Sequence, residues 1–375
     1  MRSLTRISLF AGLTAGLATG CGVLLGLDDF HESGGTGGSG TVSSSSSAAT
    51  GVGGATGSGG ATASSSSSSS ATASSSSGTG GMVDCNSGET IAALQEGPNG
   101  IAVAGPKVFW ANTVDGTIMG WQEGSTPGLW YAAAVNGPDH ISATLHQVCW
   151  TDSNNGRVEC YSDAGSPNKS YRLVESGAPA QPSSIVLDDT YAYWTTPSSG
   201  NVKKQAVPSL NVAIEPTYSI FSNPSSTPDM ITVDGTGTAY WVNFKDKTIM
   251  GRGPGDLIQG PPIVTNQTPI SGLAVDTDDV FWSSSSAKTV FKAPKVGGVP
   301  VTTVASNQLY PEQVTVDATH VYWWNQGDGT IMKAPKSGGA ATVIICGQTD
   351  VHFAVSATHV YWTDRKKGTV KRIPK

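Results

Sequence analysis

Charged, amide and imidazole side chains recur just before several short apolar runs of this sequence. The set comprises Asn99, Asp139, His140, Asp229, Glu312 and His352. Carboxylates and imidazoles that meet at one place can ligate a cation, bind a basic peptide or hydrogen-bond a polar sugar. Their spacing fixes no nucleophile, base or metal geometry, so they form a candidate ligand-binding site with no catalytic residue and no cofactor, and metal binding stays open. Solvated polar residues that bind no ligand are the alternative.

A second series of acids recurs directly after the same apolar runs. Its members are Asp188, Asp234, Asp276 and Asp317. A carboxylate cluster for metal or acid/base chemistry is one interpretation of this series. An Asp that follows a strand commonly accepts hydrogen bonds from free backbone N–H groups of the turn. We therefore expect each of these acids to serve its own turn.

These residues sit in a repeat that the tryptophans mark. Seven copies contain Trp110, Trp150, Trp194, Trp241, Trp282, Trp323 and Trp362, at successive separations of 40, 44, 47, 41, 41 and 39 residues. An Ile or Val follows each Trp by eight places, which predicts two strands joined by a short hairpin. A period near 40 residues with alternating apolar runs predicts four-stranded antiparallel blades of a β-propeller.

The two ends of the repeat region complement each other. The last copy stops after its third strand, whereas "ETIAALQ" (89–95) forms an unattached strand before the first copy. We predict an all-β, seven-bladed propeller over residues 85–375, with this N-terminal strand as the outer strand of blade seven. Such closure removes the open sheet edges, and six or eight blades remain alternatives.

Two repeats carry a recognisable tetrapeptide, Tyr361-Trp362-Thr363-Asp364 and its near match Cys149-Trp150-Thr151-Asp152. The repeats resemble the YWTD repeats of low-density-lipoprotein-receptor-type propellers and, more loosely, NHL-type propellers. The receptor family uses six blades, and the Asp stands in only two of the seven copies here. The combination of a propeller with a Ser/Gly-rich N-terminal tether is similar to that of bacterial propeller lipoproteins. The resemblance implies a propeller and leaves its ligand open.

The N-terminal region has the features of an export signal and a tether. Arg2 and Arg6 precede a weakly apolar run, which predicts a signal peptide over residues 1–20. The residues before Cys21 resemble a bacterial lipobox, which implies lipidation of Cys21; an uncleaved anchor is the alternative. Residues 21–84 are dominated by Ser, Gly, Thr and Ala, so we predict a disordered low-complexity linker.

The cysteines and the charge constrain compartment and partners. With a four-residue hairpin loop, Cys149 faces Cys160, which predicts a disulfide, and Cys85 could pair with Cys346. A net charge of −6 argues against a nucleic-acid partner. A basic C-terminal group is either a solvated face or a contact for an anionic envelope partner, and it consists of Arg365, Lys366, Lys367, Lys371, Arg372 and Lys375.

These observations predict an exported, membrane-anchored protein of the outer membrane or cell surface, with secretion as the alternative. We expect a monomeric, non-catalytic binding module for a protein, peptide or polysaccharide. An envelope assembly factor is one alternative. A metal-dependent propeller lyase or hydrolase with its site at the mouth of the central channel is the other.

Overall fold

A computed structural model describes residues 88–131, 137–163, 169–173, 181–207, 217–223, 225–256, 258–298 and 300–375. The chain divides into two compact units, Met1–Gly80 and Gly81–Lys375, and every described residue belongs to the second. The predicted signal peptide, Cys21, the linker and Cys85 lie outside the described residues. None of the helices among the described residues has the length and apolar character needed to cross a membrane.

The described residues form seven antiparallel sheets arranged as blades. Blade one contains β2 (Pro98–Ala104), β3 (Lys107–Asn112), β4 (Thr117–Gln122) and β5 (Gly128–Tyr131). Blade two contains β6 (Pro138–Ala143), β7 (Gln147–Asp152), β8 (Arg157–Ser162) and β9 (Lys169–Leu173). Blade three contains β10 (Ile185–Leu187), β11 (Tyr191–Thr196), a 3-10 turn (Pro197–Ser199), β12 (Asn201–Ala206) and β13 (Tyr218–Ser222).

The remaining blades follow the same order. Blade four contains β14 (Pro228–Val233), β15 (Ala239–Asn243) and β16 (Thr248–Arg252). Blade five contains β17 (Gly272–Val275), β18 (Asp279–Ser284), β19 (Thr289–Pro294) and β20 (Thr302–Ala305). Blade six contains β21 (Pro311–Val316), β22 (His320–Asn325), β23 (Thr330–Pro335) and β24 (Thr342–Ile345). Blade seven contains β25 (Val351–Val355), β26 (His359–Asp364), β27 (Thr369–Pro374) and β1 (Glu89–Ala92).

The seven blades close into a ring. The first strand of each blade contacts the first strand of the next, and β25 of blade seven contacts β2 of blade one. Strand β1 pairs with β27, with Glu89 opposite Arg372 and Ala92 opposite Val370. The predicted seven-bladed propeller and its closure by an N-terminal strand are therefore confirmed. The strand ends at Ala92, earlier than residue 95, because Leu94 adopts a positive φ of 57°.

Blade four departs from the predicted four strands. Its sheet has three strands among the described residues, and an isolated bridge between Ile249 and Val264 stands where other blades have a fourth strand. Gly251 allows this segment to lie close, since a Cβ at Gly251 would come within 2.9 Å of the Ile263 side chain. The outer edge of β16 is therefore partly covered by an irregular segment.

The core consists of repeated layers between adjacent blades. All seven marker tryptophans are 0–1 % exposed. The residue after each Trp pairs with the Ile or Val eight places after that Trp, as Ala111 does with Ile118 and Thr363 with Val370. An indole that buries roughly 150–250 Å² contributes about 4–6 kcal/mol of transfer free energy before entropy is counted. The repeated Trp is therefore a core residue.

A buried indole also brings a polar N–H that needs an acceptor, and a glutamine provides it in three blades. Trp110 Nε1 donates to Gln95 Oε1 at 2.9 Å, and Trp323 Nε1 donates to Gln308 Oε1 at 2.9 Å. Trp362 Nε1 donates to Gln348 Oε1 at 3.1 Å. These glutamines lie in the loop before each blade, which the sequence repeat did not reveal.

The recurrent Asp residues behave as turn acceptors. Asp188 Oδ1 accepts from the backbone N–H groups of Thr190 and Tyr191 at 2.7 and 2.6 Å. Asp317 Oδ1 accepts from those of Thr319 and His320, both at 2.8 Å. The corresponding backbone bonds are present at Asp234 and Asp276. The series therefore acts one turn at a time.

Three of these acids also link neighbouring blades, which the sequence analysis did not anticipate. Asp234 binds Lys295, Asp276 binds Lys336 and Asp317 binds Lys375, each at 2.6 Å. Each lysine directly follows the third strand of the next blade. Burial alone would raise the pKa of the Asp234 carboxyl, but hydrogen bonds from Lys295 and Thr236 outweigh it and lower that pKa to about 2.

The structure joins Cys149 and Cys160 in a disulfide across β7 and β8, where the two residues are directly opposite. Cys346 is disulfide-bonded as well. The hypothesis that pairs Cys346 with Cys85 involves a residue outside the described part of the chain.

Replacing Gln308 should leave a buried indole N–H without its acceptor. We expect Gln308→Ala to lower the free energy of unfolding by about 1–3 kcal/mol, the cost of an unsatisfied buried donor. The matched control is Gln267→Ala, because the Gln267 side chain donates to Thr265 O and Trp282 Nε1 has no hydrogen-bond partner within the described residues. Chemical denaturation measures both; equal losses would contradict the role of the Trp–Gln bond.

The Asp234–Lys295 pair should make stability depend on acid pH. Because the folded-state pKa of Asp234 is lowered from 3.8 to about 2, its contribution is present above pH 3.8 and is lost as pH falls towards 2. We expect Asp234→Asn to destabilise by about 2 kcal/mol at neutral pH and by much less near pH 2. Asp188→Asn is the control, since Asp188 accepts the same kind of turn hydrogen bonds but forms no ion pair with a lysine of the described residues. Denaturation at several pH values decides; a pH-independent difference between Asp234→Asn and wild type would refute the ion-pair explanation.

Candidate functional site at the channel mouth

The first strands surround the central channel, and their starting ends form its mouth. The start of each first strand pairs with the end of the second, as Val351 does with Asp364. The hairpin tips between second and third strands therefore lie on the same face, which we call the mouth face. Close approach of the first strands needs glycine: a Cβ at Gly100 would lie 2.4 Å from Asp139 O, and one at Gly272 would lie 2.8 Å from Glu312 O.

Hydroxyl groups after the marker tryptophans fix the strand starts. Thr363 Oγ1 donates to Asn99 O of the next blade at 2.7 Å, and Ser283 Oγ donates to Glu312 O of its next blade at 2.7 Å. Thr151 Oγ1 accepts from His140 N within its own blade at 3.2 Å. The Thr of the tetrapeptide thus positions the mouth residues.

Asp139 and His140 form a charged pair at the mouth. His140 Nδ1 lies 3.5 Å from Asp139 Oδ2, and the Asn99 side-chain amide donates to Asp139 Oδ1. Burial would lower the pKa of His140, but the charge of Asp139, its hydrogen bond and the charge of Asp229 outweigh burial and raise that pKa. Burial would raise the pKa of Asp139, but His140, with smaller contributions from His352 and Arg365, lowers it. Both shifts favour the ionised form of the pair.

His352 lies beside this pair, and its pKa is shifted in the direction opposite to that of His140. Its ring centroid is 6.2 Å from that of His140, and the two rings meet at 80°. Burial, reinforced by the positive charge of His140, lowers the pKa of His352 to about 4. The two imidazoles at the mouth are thus shifted in opposite directions, towards the charged form for His140 and towards the neutral form for His352.

Asp229 contributes a second carboxyl that interacts with His140. Its Oδ1 accepts from Met230 N at 2.8 Å, and Thr195 Oγ1 lies at 3.5 Å. Burial raises the pKa of Asp229 despite the nearby charge of His140 and these hydrogen bonds. Asp229 is thus less acidic than an ordinary Asp, whereas Asp139 is more acidic.

The structure brings together Asn99, Asp139, His140, Asp229 and His352 from blades one, two, four and seven. Glu312 starts the first strand of blade six, is 4 % exposed and offers its backbone carbonyl to Ser283. Within the described residues, no group of three or more His, Cys, Asp or Glu side chains is arranged to hold a metal ion.

Two mouth residues were missed as members of this site. The charges of Asp350 and Arg365 both act on His352, and Arg365 N donates to Asp350 O at 3.1 Å. Arg365 had been grouped with the basic C-terminal residues. The signal was available in the alignment of copies, since Arg365 opens the hairpin tip of blade seven and Asp350 precedes its first strand.

Several residues of the basic group are bound within the propeller. Lys367 pairs with Asp364 at 3.0 Å, and Arg372 pairs with Glu89 at 2.7 Å. Lys375 pairs with Asp317. The group is therefore less available to an external anion than the sequence alone suggests.

The mouth also contains buried polar atoms with unused hydrogen-bonding capacity. Asn99 Oδ1 and His352 Nδ1 have no hydrogen-bond partner within the described residues, and His140 Nδ1 makes only its ion pair with Asp139. Buried polar atoms are normally satisfied by protein or by another hydrogen-bonding group. The arrangement can therefore accept a polar ligand that supplies one donor and one acceptor.

Comparison with known proteins shows the fold. No protein family model matches the sequence, and curated protein sequences give no match. Among solved structures, a streptogramin B lyase matches with a TM-score of 0.63 and 11 % identity, over 77 % of this chain and 97 % of that chain. Virginiamycin B lyase from Staphylococcus aureus matches with a TM-score of 0.62 and 10 % identity, over 77 % and 98 %. A computationally designed protein, Ika8, matches with a TM-score of 0.54 and 14 % identity, over 76 % and 98 %. At these identities the chain shares the β-propeller fold with them.

The two imidazoles at the mouth should titrate differently. We expect His352 to stay neutral down to about pH 4 and His140 to stay charged above its ordinary pKa of 6.5. In Asp139→Asn the pKa of His140 should fall, because the negative charge that mainly counteracts the effect of burial on that pKa is removed. Histidine NMR signals followed against pH report both values, with Asp276→Asn at the opposite face as the control. An unchanged His140 pKa in Asp139→Asn would contradict the pairing.

Proposed function

We propose that this protein is a non-catalytic binding module whose ligand occupies the channel mouth. The observation that carries the proposal is the juxtaposition of the Asp139/His140 pair with His352 and Asn99, whose buried polar atoms are only partly satisfied. A rigid ring of seven blades holds these groups in place, so binding costs little reorganisation.

The ligand should be polar and should donate and accept hydrogen bonds at the same time. His352 Nδ1 and Asn99 Oδ1 are available to it, and the Asp139/His140 pair offers both signs of charge. A peptide or a hydroxyl-rich sugar has this chemistry. The streptogramin and virginiamycin lyases use a similar fold for a reaction, but likeness at 10–11 % identity supports the fold alone.

We further propose that the module works at the cell envelope, held there through lipidated Cys21. The disulfide between Cys149 and Cys160 and the bonded state of Cys346 support an oxidising compartment. An envelope assembly role is a different proposal, which would use the rim of the ring and leave the mouth dispensable.

A thermal-shift screen tests the binding proposal on the full chain. The probes are soluble tripeptides, hexoses and oligosaccharides. A ligand of the folded state present at a hundredfold excess over its Kd adds about 2.7 kcal/mol, which raises Tm by several degrees. We expect at least one class of probe to raise the Tm of the wild type, and this rise to disappear in Asp139→Asn and His352→Gln.

The matched control is Asp276→Asn, which alters a carboxylate at the opposite face. It should retain the ligand-induced rise even where its own Tm is lower. The proposal is wrong if no probe raises the Tm, or if the rise survives in both mouth variants.

A further inference from the structure

The loop before each blade holds two positions that require left-handed backbone. The first precedes the loop glutamine, with φ of 57° at Leu94, 55° at Asn266, 57° at Asn307 and 69° at Gly347. The second follows the glutamine by two places, with φ of 67° at Gly97 and 56° at both Tyr310 and Asp350. Both conformations recur, so they belong to the blade and are not peculiar to one loop.

The residue types at these positions divide into two groups. Gly, Asn and Asp tolerate left-handed backbone, and they occupy most of the positions. Leu94 and Tyr310 do not, because a bulky side chain there crowds the backbone. The fold therefore accounts for the backbone conformation but gives no reason to choose Leu at position 94. For Tyr310 it offers one surface contact, since Lys288 Nζ lies 5.6 Å from the centroid of the Tyr310 ring.

Burial inside the propeller does not compensate for this choice. Leu94 is 93 % exposed and Tyr310 is 48 % exposed. A second apolar side chain accompanies each on the mouth face, Val114 at 71 % and Leu309 at 44 % exposure. Strained residues with exposed apolar side chains are typical of positions retained for contact with another molecule.

The backbone holds these side chains in fixed positions. Gln95 N donates to Gly368 O at 3.0 Å, and Val114 N donates to Glu96 O at 3.1 Å. At the other loop, Gln326 N donates to Tyr310 O at 3.0 Å. Each loop is thereby tied to adjacent hairpin tips, and its apolar side chains are presented without loss of loop entropy on binding.

Charge between the two loops adds a preference, although the whole chain has a net charge of −6. Blade seven lies between blades six and one, and Gln95 N of the Leu94 loop donates to Gly368 O at the blade-seven hairpin tip. This tip carries Arg365, Lys366 and Lys367, of which Lys367 also pairs with Asp364. An acidic partner is therefore favoured by charge complementarity.

We propose that the mouth face docks an acidic polypeptide segment, with Leu94 and Tyr310, in the loops before blades one and six, as apolar anchors on the two sides of blade seven. This deepens the binding function proposed above, on which it rests, by assigning the partner to the class of proteins or peptides. Branched aliphatic side chains such as Leu94 and Val114 bury against other aliphatic side chains, whereas a sugar ring stacks on flat aromatic faces. A polypeptide also offers backbone donors and acceptors for the buried polar atoms at the centre, which a flat bilayer surface does not bring into the mouth.

Substitution to Asn provides a clean test. Asn occupies the position equivalent to Leu94 at Asn266 and Asn307, and Asp occupies the position equivalent to Tyr310 at Asp350. Both Asn and Asp tolerate left-handed backbone. Leu94→Asn and Tyr310→Asn should therefore fold with unchanged or higher stability. The control is Val296→Asn, which removes an 87 % exposed apolar side chain in the turn after β19, on the opposite face.

The experiment selects binders to the full wild-type chain from a phage-displayed library of random linear peptides. We expect selected peptides to be acidic with apolar side chains, to bind Leu94→Asn and Tyr310→Asn at least about tenfold more weakly, and to bind Val296→Asn unchanged. Peptides that bind both anchor variants as well as wild type overturn the inference, as does a selection that yields no binder.

Two further arms separate the alternatives. Vesicles containing phosphatidylglycerol replace the peptides; vesicle binding that depends on Leu94 and Tyr310, without peptide binders, overturns the polypeptide assignment in favour of a membrane. Selected peptides are also tested on Asp139→Asn and His352→Gln. If only Asp139→Asn and His352→Gln bind the peptides more weakly, the mouth site is supported and the anchor role of Leu94 and Tyr310 is overturned. If only the anchor variants bind more weakly, the docking surface is supported and the mouth is overturned as the ligand site.

Discussion

The burial of one indole between each pair of blades is the constraint on which the rest of the structure depends. The ring supplies the largest apolar surface of the repeat, but its N–H must be satisfied inside the protein. In blades one, six and seven a loop glutamine accepts that hydrogen bond. To reach inward, the loop turns through left-handed backbone beside the glutamine, and the first strand starts from that turn. The loops of the mouth face thus derive their shape from the core.

The two faces of the ring are secured by different chemistry. On the mouth face, neutral Trp–Gln bonds and threonine hydroxyls hold the strand starts. On the opposite face, Asp–Lys pairs such as Asp276–Lys336 connect consecutive blades. At the mouth, ion pairs such as Lys367–Asp364 stay within one blade, and Asp139 and His140 interact with each other. Their opposite pKa shifts follow from that mutual proximity within a narrow, glycine-lined channel.

Sequence periodicity was enough to predict the blades, since the distance from Trp to the following Ile or Val is local and set by a hairpin. The turn role of Asp317 was also predictable, because its acceptors lie within three residues. Contacts between blades were not predictable in the same way. Lys295 reaches Asp234 across a sequence separation of 61 residues, and the acceptor role of Gln308 requires the loop conformation. The same limit applies to the site: Asp139 and His140 were identified by position, whereas the approach of Arg365 to His352 depends on the packing of blade seven.

Ring closure by β1 has a consequence for how the chain reaches this structure. Glu89 lies opposite Arg372, so the first strand of the described residues pairs with the last of them. Contacts of such long sequence separation form late, because the loop they close must first be ordered by everything in between. During synthesis each blade can pack against the preceding blade as it emerges, while β1 remains unpaired until β27 is available. Completion of the circle is therefore a late event of folding, and it turns a stack of units that contact only their neighbours into one cooperative body.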